Sequence, residues 1–359
     1  MSERRLRKAN PDWVRQAVAT IKSLRSPRET PLVEFPLPNG GVRLLFKDES
    51  AHPSGSLKHR LAASLLMFGV CNGDIGPEST LVDASSGSTA VSEAYFARAL
   101  GLPFVAVVPQ GTSPRKVQLI EEMGGRCSFV EDPSAVYAEA QRLGAQADWV
   151  YLDQFANASL RTNWRSDNVA SALFAQVRVL GHPDPDWVVV GAGTGGTSST
   201  LARYIRLHGI ATRVAVADPE GSAFFRSWDE GRRDVMGTPS RIEGIGRPRV
   251  EPSFIPQILD EVIPVRDDWS IAAMRMLVRH GIPAGPSTGT NLVAALQIAD
   301  RMRRSGAEGL IASLICDKAE RYRDTYFDDR WLAGAGLCPS RVQDDLEELL
   351  CGTSDTRGS

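Results

Sequence analysis

Short apolar runs and helical patterns alternate along most of the chain. Apolar runs bounded by turn residues predict strands at 42–46, 80–83, 104–108, 127–130, 150–152, 187–190 and 214–217. Apolar residues at helical spacing predict helices at 57–70, 90–100, 114–123, 134–143 and 198–207. Strands that alternate with helices indicate parallel sheets covered on both faces. We therefore predict an α/β protein with two lobes, each a mostly parallel sheet covered by helices.

The alternation divides near residue 165, and this division sets the expected domains. Residues 1–51 are expected to supply an N-terminal helix and strands that pack on the large lobe. Residues 52–165 are expected to form the small lobe, and residues 166–335 the large lobe. A C-terminal helix and a frayed tail are expected at 336–359.

Composition and charge exclude several classes of protein. The 41 Lys and Arg residues nearly balance 43 Asp and Glu residues, whereas binding to a nucleic-acid backbone depends on concentrated basic residues. No apolar run approaches the length of a membrane span, and the basic N-terminus has no apolar stretch behind it. The five cysteines are scattered and the five histidines lack ligand spacing, so we expect neither disulfides nor a metal site. These features predict a cytoplasmic protein that binds neither membranes nor nucleic acid.

A glycine-rich loop lies between a predicted strand and a predicted helix. It reads Gly191-Ala192-Gly193-Thr194-Gly195-Gly196-Thr197. Glycines let the backbone approach a phosphate closely, and the amides of a helix N-terminus stabilise the anion. The loop also contains GxGxxG, and Asp218 follows at the end of the next strand, as in a dinucleotide-binding site. Taken alone, the loop suits NAD and a single phosphate group equally well.

Three further polar turns each open a predicted helix. The string PSGSLKHR places Lys58 in the first turn of one helix, where a lysine is a candidate for covalent amine chemistry. The turn after the strand at 80–83 gathers four hydroxyls, a set that suits a carboxylate. The turn Gly285-Pro286-Ser287-Thr288 opens a third helix and, by itself, is typical of ordinary capping.

Taken together and in this order, the four motifs resemble the cysteine synthase-like family of pyridoxal-phosphate enzymes, of fold type II. The resemblance covers roughly residues 30–330. It implies a tryptophan synthase β-like fold that holds the cofactor pyridoxal 5′-phosphate between its lobes as an aldimine of Lys58, the catalytic lysine. It also implies an amino-acid substrate and a homodimer.

The resemblance implies roles for further residues. Those expected to bind the cofactor phosphate are Gly193, Thr194, Gly195, Gly196 and Thr197, and the Ser287 hydroxyl is expected at the pyridine nitrogen. Those expected to bind the substrate, mainly through its carboxylate, are Ser85, Ser86, Gly87, Ser88, Thr89 and Gln154. Gly244 belongs to a Gly-Ile-Gly segment that is expected to close beside the substrate amino group.

One position departs from the family pattern. Cysteine synthases carry Asn where this chain has Ser88, and that Asn contacts the 3′ oxygen of the cofactor. Serine is shorter, so we expect Ser88 to reach the cofactor only by a shift or through water. The strings SSGSTAVSEAYFARALG and ERYRDTYFDD are most similar to the L-cysteine desulfhydrase branch. That branch implies β-elimination of L-cysteine to hydrogen sulfide, pyruvate and ammonia.

Alternative functions are compatible with parts of the same pattern. Within the family they are β-replacement reactions, by a cysteine synthase (O-acetylserine sulfhydrylase) or a cystathionine β-synthase. An NAD-dependent oxidoreductase would explain the glycine loop and Asp218, but neither Lys58 nor Ser287. A non-catalytic ligand-binding relative is a third alternative, and the presence of Lys58 argues against it.

Overall fold

The computed structural model describes residues 10–25, 28–38 and 40–352. The α-helices, in chain order, are α1 (Pro11–Arg25), α2 (Lys58–Cys71), α3 (Ser88–Ala99), α4 (Pro114–Glu122), α5 (Val136–Gly144), α6 (Gln154–Asn157), α7 (Val169–Val179), α8 (Gly196–His208), α9 (Ala223–Asp229), α10 (Asp267–Arg279), α11 (Pro286–Arg304), α12 (Asp329–Gly334) and α13 (Gln343–Cys351). The strands are β1 (Leu32–Phe35), β2 (Val42–Asp48), β3 (Thr80–Ala84), β4 (Phe104–Pro109), β5 (Arg126–Val130), β6 (Trp149–Tyr151), β7 (Trp187–Gly191), β8 (Arg213–Pro219), β9 (Glu261–Val265) and β10 (Gly309–Ile315).

The smaller of two compact units contains the described residues within 1–29 and 52–162. Its four strands are all parallel, in the order β5-β4-β3-β6. Helices α2 and α3 bury apolar side chains, such as Leu65 and Phe96, in the same core as Phe104 of the sheet. In this sheet β3 is a central strand, so its carboxyl end opens into a turn that other strands flank.

The larger unit contains the described residues within 30–51 and 163–359. Its sheet has six strands in the order β1-β2-β10-β7-β8-β9, of which β1 alone runs antiparallel to its neighbour. The central strands are almost entirely apolar, as expected for parallel strands buried on both faces. The long helix α11 packs on β7, β8 and β10, and most of its residues are buried.

The predicted fold class, α/β with mostly parallel sheets covered by helices, is confirmed. The segment 1–51, predicted to pack on the large lobe, is divided between the units. Strands β1 and β2 join the larger sheet, but α1 packs in the smaller unit, where Ala17 and Ile21 are buried in the core with α2 and α3. An amphipathic stripe shows which face of a helix is buried, but not which core buries it. Of the segment 336–359, expected to form a helix and a tail, residues 353–359 lie outside the described residues.

Two further expectations concern membranes and metals. Among the described helices, none combines the length and apolar character needed to cross a bilayer. Residues 10–25, 28–38 and 40–352 also contain no group of His, Cys, Asp and Glu side chains arranged to hold a metal ion.

Candidate active site

Lys58 is the first residue of α2 and is partly buried. The turn before it contains Gly55, whose φ of +74° is one that L side chains rarely adopt. The Ser56 hydroxyl accepts a hydrogen bond from the backbone N–H of Lys58, with an N–O distance of 3.3 Å. The sequence Pro-Ser-Gly-Ser therefore forms a tight turn that fixes where the lysine enters its helix.

A chain of buried hydrogen bonds holds this turn. The ring of His59 is fully buried, with Nδ1 3.0 Å from the Ser54 hydroxyl and Nε2 2.9 Å from the Leu24 carbonyl oxygen. The Ser54 hydroxyl lies 2.8 Å from the Ser92 hydroxyl, which donates to the Ser88 carbonyl oxygen at 2.9 Å. The structure thereby links the lysine turn to the serine-rich turn, through side chains that the sequence did not single out.

The serine-rich turn, residues 85–89, connects the carboxyl end of β3 to the start of α3. Thr89 is buried and its hydroxyl donates to Oε1 of Gln154, with an O–O distance of 2.7 Å. Nε2 of Gln154 in turn donates to the Ala84 carbonyl oxygen at 3.5 Å. The structure thus brings Gln154 to the turn, as we would expect if the two bind one carboxylate.

The glycine-rich loop lies between β7 and α8 in the larger unit. Gly195 has a φ of +86°, and a Cβ added there would lie 2.4 Å from Cα of Phe254. A Cβ at Gly193 would lie 2.2 Å from the carbonyl oxygen of Gly244. The loop therefore admits no side chain at either position, and Gly244 lies directly against it. The first-turn amides of α8 have no acceptor within their own helix, an arrangement that suits a bound phosphate.

Ser287 is the second residue of α11 and is only 4% exposed. Within the described part of the chain its hydroxyl makes no hydrogen bond. The turn before it is closely packed, because a Cβ at Gly285 would lie 2.1 Å from Oδ1 of Asp317 and 2.7 Å from Cε2 of Tyr322. A buried serine at a fixed helix start can present its hydroxyl to a ligand in one defined direction.

Two tyrosines of the ERYRDTYFDD string support these turns. Tyr322 donates to Oδ2 of Asp317 at 2.6 Å, and burial together with the Asp317 charge raises the pKa of Tyr322 well above its usual range. Tyr326 donates to the Arg241 carbonyl oxygen at 2.6 Å and accepts the N–H of Glu243 at 3.2 Å. One string of the sequence thus holds both the start of α11 and the segment that leads to Gly244.

Comparison with known proteins decides the family. A family model described as pyridoxal-phosphate dependent enzyme matches residues 24–317. The chain belongs to this family. It is 51% identical to a protein named L-cysteine desulfhydrase Cds1 from Mycobacterium tuberculosis, over 93% of this chain and 94% of that one. It is 33% identical to an N-(2-amino-2-carboxyethyl)-L-glutamate synthase from Cupriavidus metallidurans, over 85% of this chain and 89% of that one.

A solved structure gives the same result. The fold superposes on an O-acetylserine dependent cystathionine beta-synthase from Helicobacter pylori with a TM-score of 0.71. The two chains are 26% identical, and the match covers 85% of this chain and 97% of the other. The sequence therefore predicted the family, its cofactor and its fold type correctly.

Asp218, on which the NAD alternative depended, has a different role in this pyridoxal-phosphate dependent enzyme. Its carboxylate is fully buried, accepts the backbone N–H of Phe225 at 3.0 Å and is also hydrogen-bonded by Ser222. Burial raises the pKa of Asp218 to about 7. The carboxylate stabilises the start of α9 and is not exposed to bind a ribose, so the resemblance to a dinucleotide fingerprint is limited to spacing.

Proposed function

We propose that the chain is a carbon–sulfur lyase that eliminates sulfide from L-cysteine, with pyridoxal 5′-phosphate as cofactor. One L-cysteine and one water give one hydrogen sulfide, one pyruvate and one ammonia. The observation that carries this proposal is the 51% identity to a named L-cysteine desulfhydrase across nearly the whole of both chains. The lysine turn, the serine-rich turn, the glycine-rich loop and the start of α11 support it, because each carries groups suited to one part of the cofactor or substrate.

Lys58 is proposed to hold the cofactor covalently and to act as general base. When bound, the cofactor draws electrons from the substrate α-carbon and so weakens both the Cα–H bond and the bond to the β-sulfur. The Lys58 amine would take the α-proton from the bound substrate. The tight turn at Gly55 and the buried His59 support fix the start of α2, as a base requires, because proton transfer depends on position.

The glycine-rich loop is proposed to bind the cofactor phosphate. The residues that form this cradle are Gly193, Thr194, Gly195, Gly196 and Thr197. The loop fits a phosphate because side chains are excluded at Gly193 and Gly195, so the anion can approach the backbone amides. The Thr194 hydroxyl accepts the N–H of Gly196 at 3.2 Å and so shapes the loop from within.

Ser287 is proposed to hydrogen-bond the pyridine nitrogen. A hydroxyl is a neutral partner, so it does not hold that nitrogen in its protonated form as a carboxylate would. The ring is then a weaker electron sink, which favours prompt loss of a β-leaving group over a long-lived carbanion. Ser287 thus suits the loss of the β-leaving group, a step that elimination and β-replacement share.

The turn at 85–89 is proposed to bind the substrate carboxylate. Backbone amides at the start of α3 and the hydroxyls of Ser85, Ser86 and Ser88 are donors of the required kind, with Gly87 exposed between them. Thr89 is proposed to take part through Gln154, to which its hydroxyl donates. Gln154 shares a hydrogen bond with Thr89 and completes the set. Ser88 is additionally proposed to reach the cofactor, and Gly244 to lie beside the substrate amino group.

We also propose that the protein acts in the cytoplasm as a homodimer. All five cysteines are free thiols, as in a reducing compartment. Val179, Leu180 and Leu207 at the ends of α7 and α8 are more than half exposed, which suits a subunit interface.

The second candidate is β-replacement, which some relatives carry out by name, and one assay separates it from elimination. Purified protein is given L-cysteine or O-acetylserine, each with and without added sulfide, and pyruvate and new cysteine are measured together. We expect pyruvate from L-cysteine without any added nucleophile. Rapid cysteine formation from O-acetylserine and sulfide, with negligible pyruvate from L-cysteine, would assign the chain to β-replacement instead.

A further inference from the structure

Two carboxyl groups enclose the turn at 85–89 within the smaller unit. Asp83 lies on β3, two residues before the turn, and Glu93 lies on α3, four residues after it. Both side chains are 0% exposed, and they lie within hydrogen-bonding contact of each other. The pair therefore connects β3, which precedes the turn, to α3, which follows it.

The surroundings of the pair show what holds it together. Oδ1 of Asp83 accepts the backbone N–H of Ala84 at 2.8 Å. Apart from their mutual contact, Oδ2 of Asp83 and both carboxyl oxygens of Glu93 receive no hydrogen bond from any described residue. No Lys, Arg or His of the described chain forms an ion pair with either group. Two buried charges without a cation repel each other, so the pair is stable only while it shares a proton.

The titratable neighbours are also acidic. The charge of Asp153, before α6, raises the pKa of Asp83, and burial together with the Asp83 charge raises the pKa of Tyr151 on β6 above its usual range. Burial raises the pKa of Asp83 to about 6, a rise that the hydrogen bond with Glu93 and the backbone amide of Ala84 partly offset. Burial and the Asp83 charge raise the pKa of Glu93 well above its usual range. Because the pKa of Glu93 is raised further than that of Asp83, the shared proton resides on Glu93, which donates to Asp83.

We propose that Asp83 and Glu93 form a carboxyl clasp, joined by one shared proton, that keeps the turn at 85–89 and Gln154 in the arrangement that binds the substrate carboxylate. Both are positioning residues, because they touch neither substrate nor cofactor in this account. The link to Gln154 is direct, since its side chain bonds the Ala84 carbonyl oxygen and Thr89. The role in substrate binding rests on the proposed function, whereas the effect on the turn does not.

The clasp has a defined pH dependence. Raising the pH until Glu93 ionises places two negative charges in contact, which opens the turn. Lowering the pH through the Asp83 pKa of about 6 protonates Asp83 and weakens its hold on the backbone amide of Ala84. The turn is therefore held best between these two limits.

The test compares Glu93→Gln with Glu93→Ala in the cofactor-loaded, full-length protein. The glutamine amide can donate to Asp83 but has no acidic proton to lose, whereas alanine removes the donor. Two quantities are measured at neutral and alkaline pH: the KM for L-cysteine, and amide hydrogen-exchange protection of residues 84–92 without substrate. Asp218→Asn is the matched control, because it neutralises a buried carboxyl of raised pKa in the other unit.

For wild type we expect KM to rise about tenfold at alkaline pH, while kcat falls less, and protection of the turn to decrease. In Glu93→Gln, the KM and the protection at alkaline pH should equal those at neutral pH. In Glu93→Ala, a raised KM and reduced protection of the turn should be present already at neutral pH. Asp218→Asn should follow wild type. If Glu93→Gln instead keeps the wild-type pH dependence in both measurements, the clasp is refuted, even should Glu93→Ala fail to fold. Hydrogen exchange is measured without substrate, so it tests the clasp even if L-cysteine is not the substrate.

Discussion

Ser287 places a neutral hydroxyl at the start of a buried helix, and its chemical type is central to the proposed reaction. The hydroxyl makes no hydrogen bond within the described residues, and Asp317 and Tyr322 pack the turn before it. Its position is fixed by packing rather than by its own bonds. Substitutions at 287 can therefore change the chemistry at this point with little change in backbone position.

We predict that Ser287→Asp lowers pyruvate release more than Ser287→Ala does. Ser287→Ala should lower pyruvate release from L-cysteine by about tenfold or less, since a hydrogen bond between neutral groups contributes about 0.5–1.5 kcal/mol. Ser287→Asp should slow release more and shift the visible spectrum, because a carboxylate favours a protonated ring nitrogen. Ser305, exposed at the other end of α11, supplies the control substitutions Ser305→Ala and Ser305→Asp, which should leave both readouts unchanged. Full activity with an unchanged spectrum in Ser287→Asp would show that Ser287 does not face the ring.

Sequence motifs indicate some residues of the candidate site but not the residues that support them. Lys58 and the turn at 85–89 stand out in the sequence as candidates, because each combines reactive or polar groups with the start of a helix. The supports behind them, Ser54, His59 and Ser92, do not. They act through tertiary contacts between α2 and α3, and an isolated buried His or Ser gives no signal in the sequence.

Helix α8 begins and ends at left-handed glycines that serve different purposes. Gly195 before its start has a φ of +86°, and a Cβ there would collide with the backbone of Phe254. Gly209 after its end has a φ of +62°, with no atom within 4 Å of an added Cβ. The first glycine is required by the close packing of the glycine-rich loop, and the second only by the end of a helix.

This contrast gives a matched pair of substitutions on one element. Gly195→Ala should weaken retention of pyridoxal phosphate strongly, because backbone cannot move aside as a flexible side chain can. Gly209→Ala should reduce the free energy of unfolding by about 1 kcal/mol through its positive φ and leave the cofactor bound. Cofactor content after gel filtration and urea unfolding measure the two effects. Equal cofactor loss in both variants would argue against a phosphate site at the loop.

The hydrophobic pattern of the sequence predicted some strands and missed others. The alternation located β4, β7 and β8, whose apolar runs are continuous, and also the shorter β3. It did not predict β9, which contains Pro264. Proline argues against a strand because it cannot donate to a ladder, but β9 is an edge strand and an edge tolerates it. Strand order is a property of the sheet, so the sequence of β9 could not reveal this exception.

At the scale of the whole molecule, the chain crosses between the units more often than the pattern suggests. Residues 52–162 form one unit with α1, whereas residues 30–51 leave it to build β1 and β2 of the larger sheet. Fold class and family could be predicted because alternation and motif order are properties of the sequence. The crossing could not, since strand β2 pairs with β10, more than 250 residues later, and no local signal encodes that partner.

The central claim is that Lys58 carries the cofactor of an enzyme that eliminates sulfide from L-cysteine. Borohydride reduction of the cofactor-loaded protein, followed by proteolysis and mass spectrometry, tests it most directly. We predict a pyridoxyl group on the peptide that contains Lys58, with Lys47 and Lys116 unmodified as internal controls. Lys58→Ala should lose this group and nearly all pyruvate release while still binding the cofactor. A pyridoxyl group on another lysine, or one retained at wild-type level in Lys58→Ala, would contradict the account.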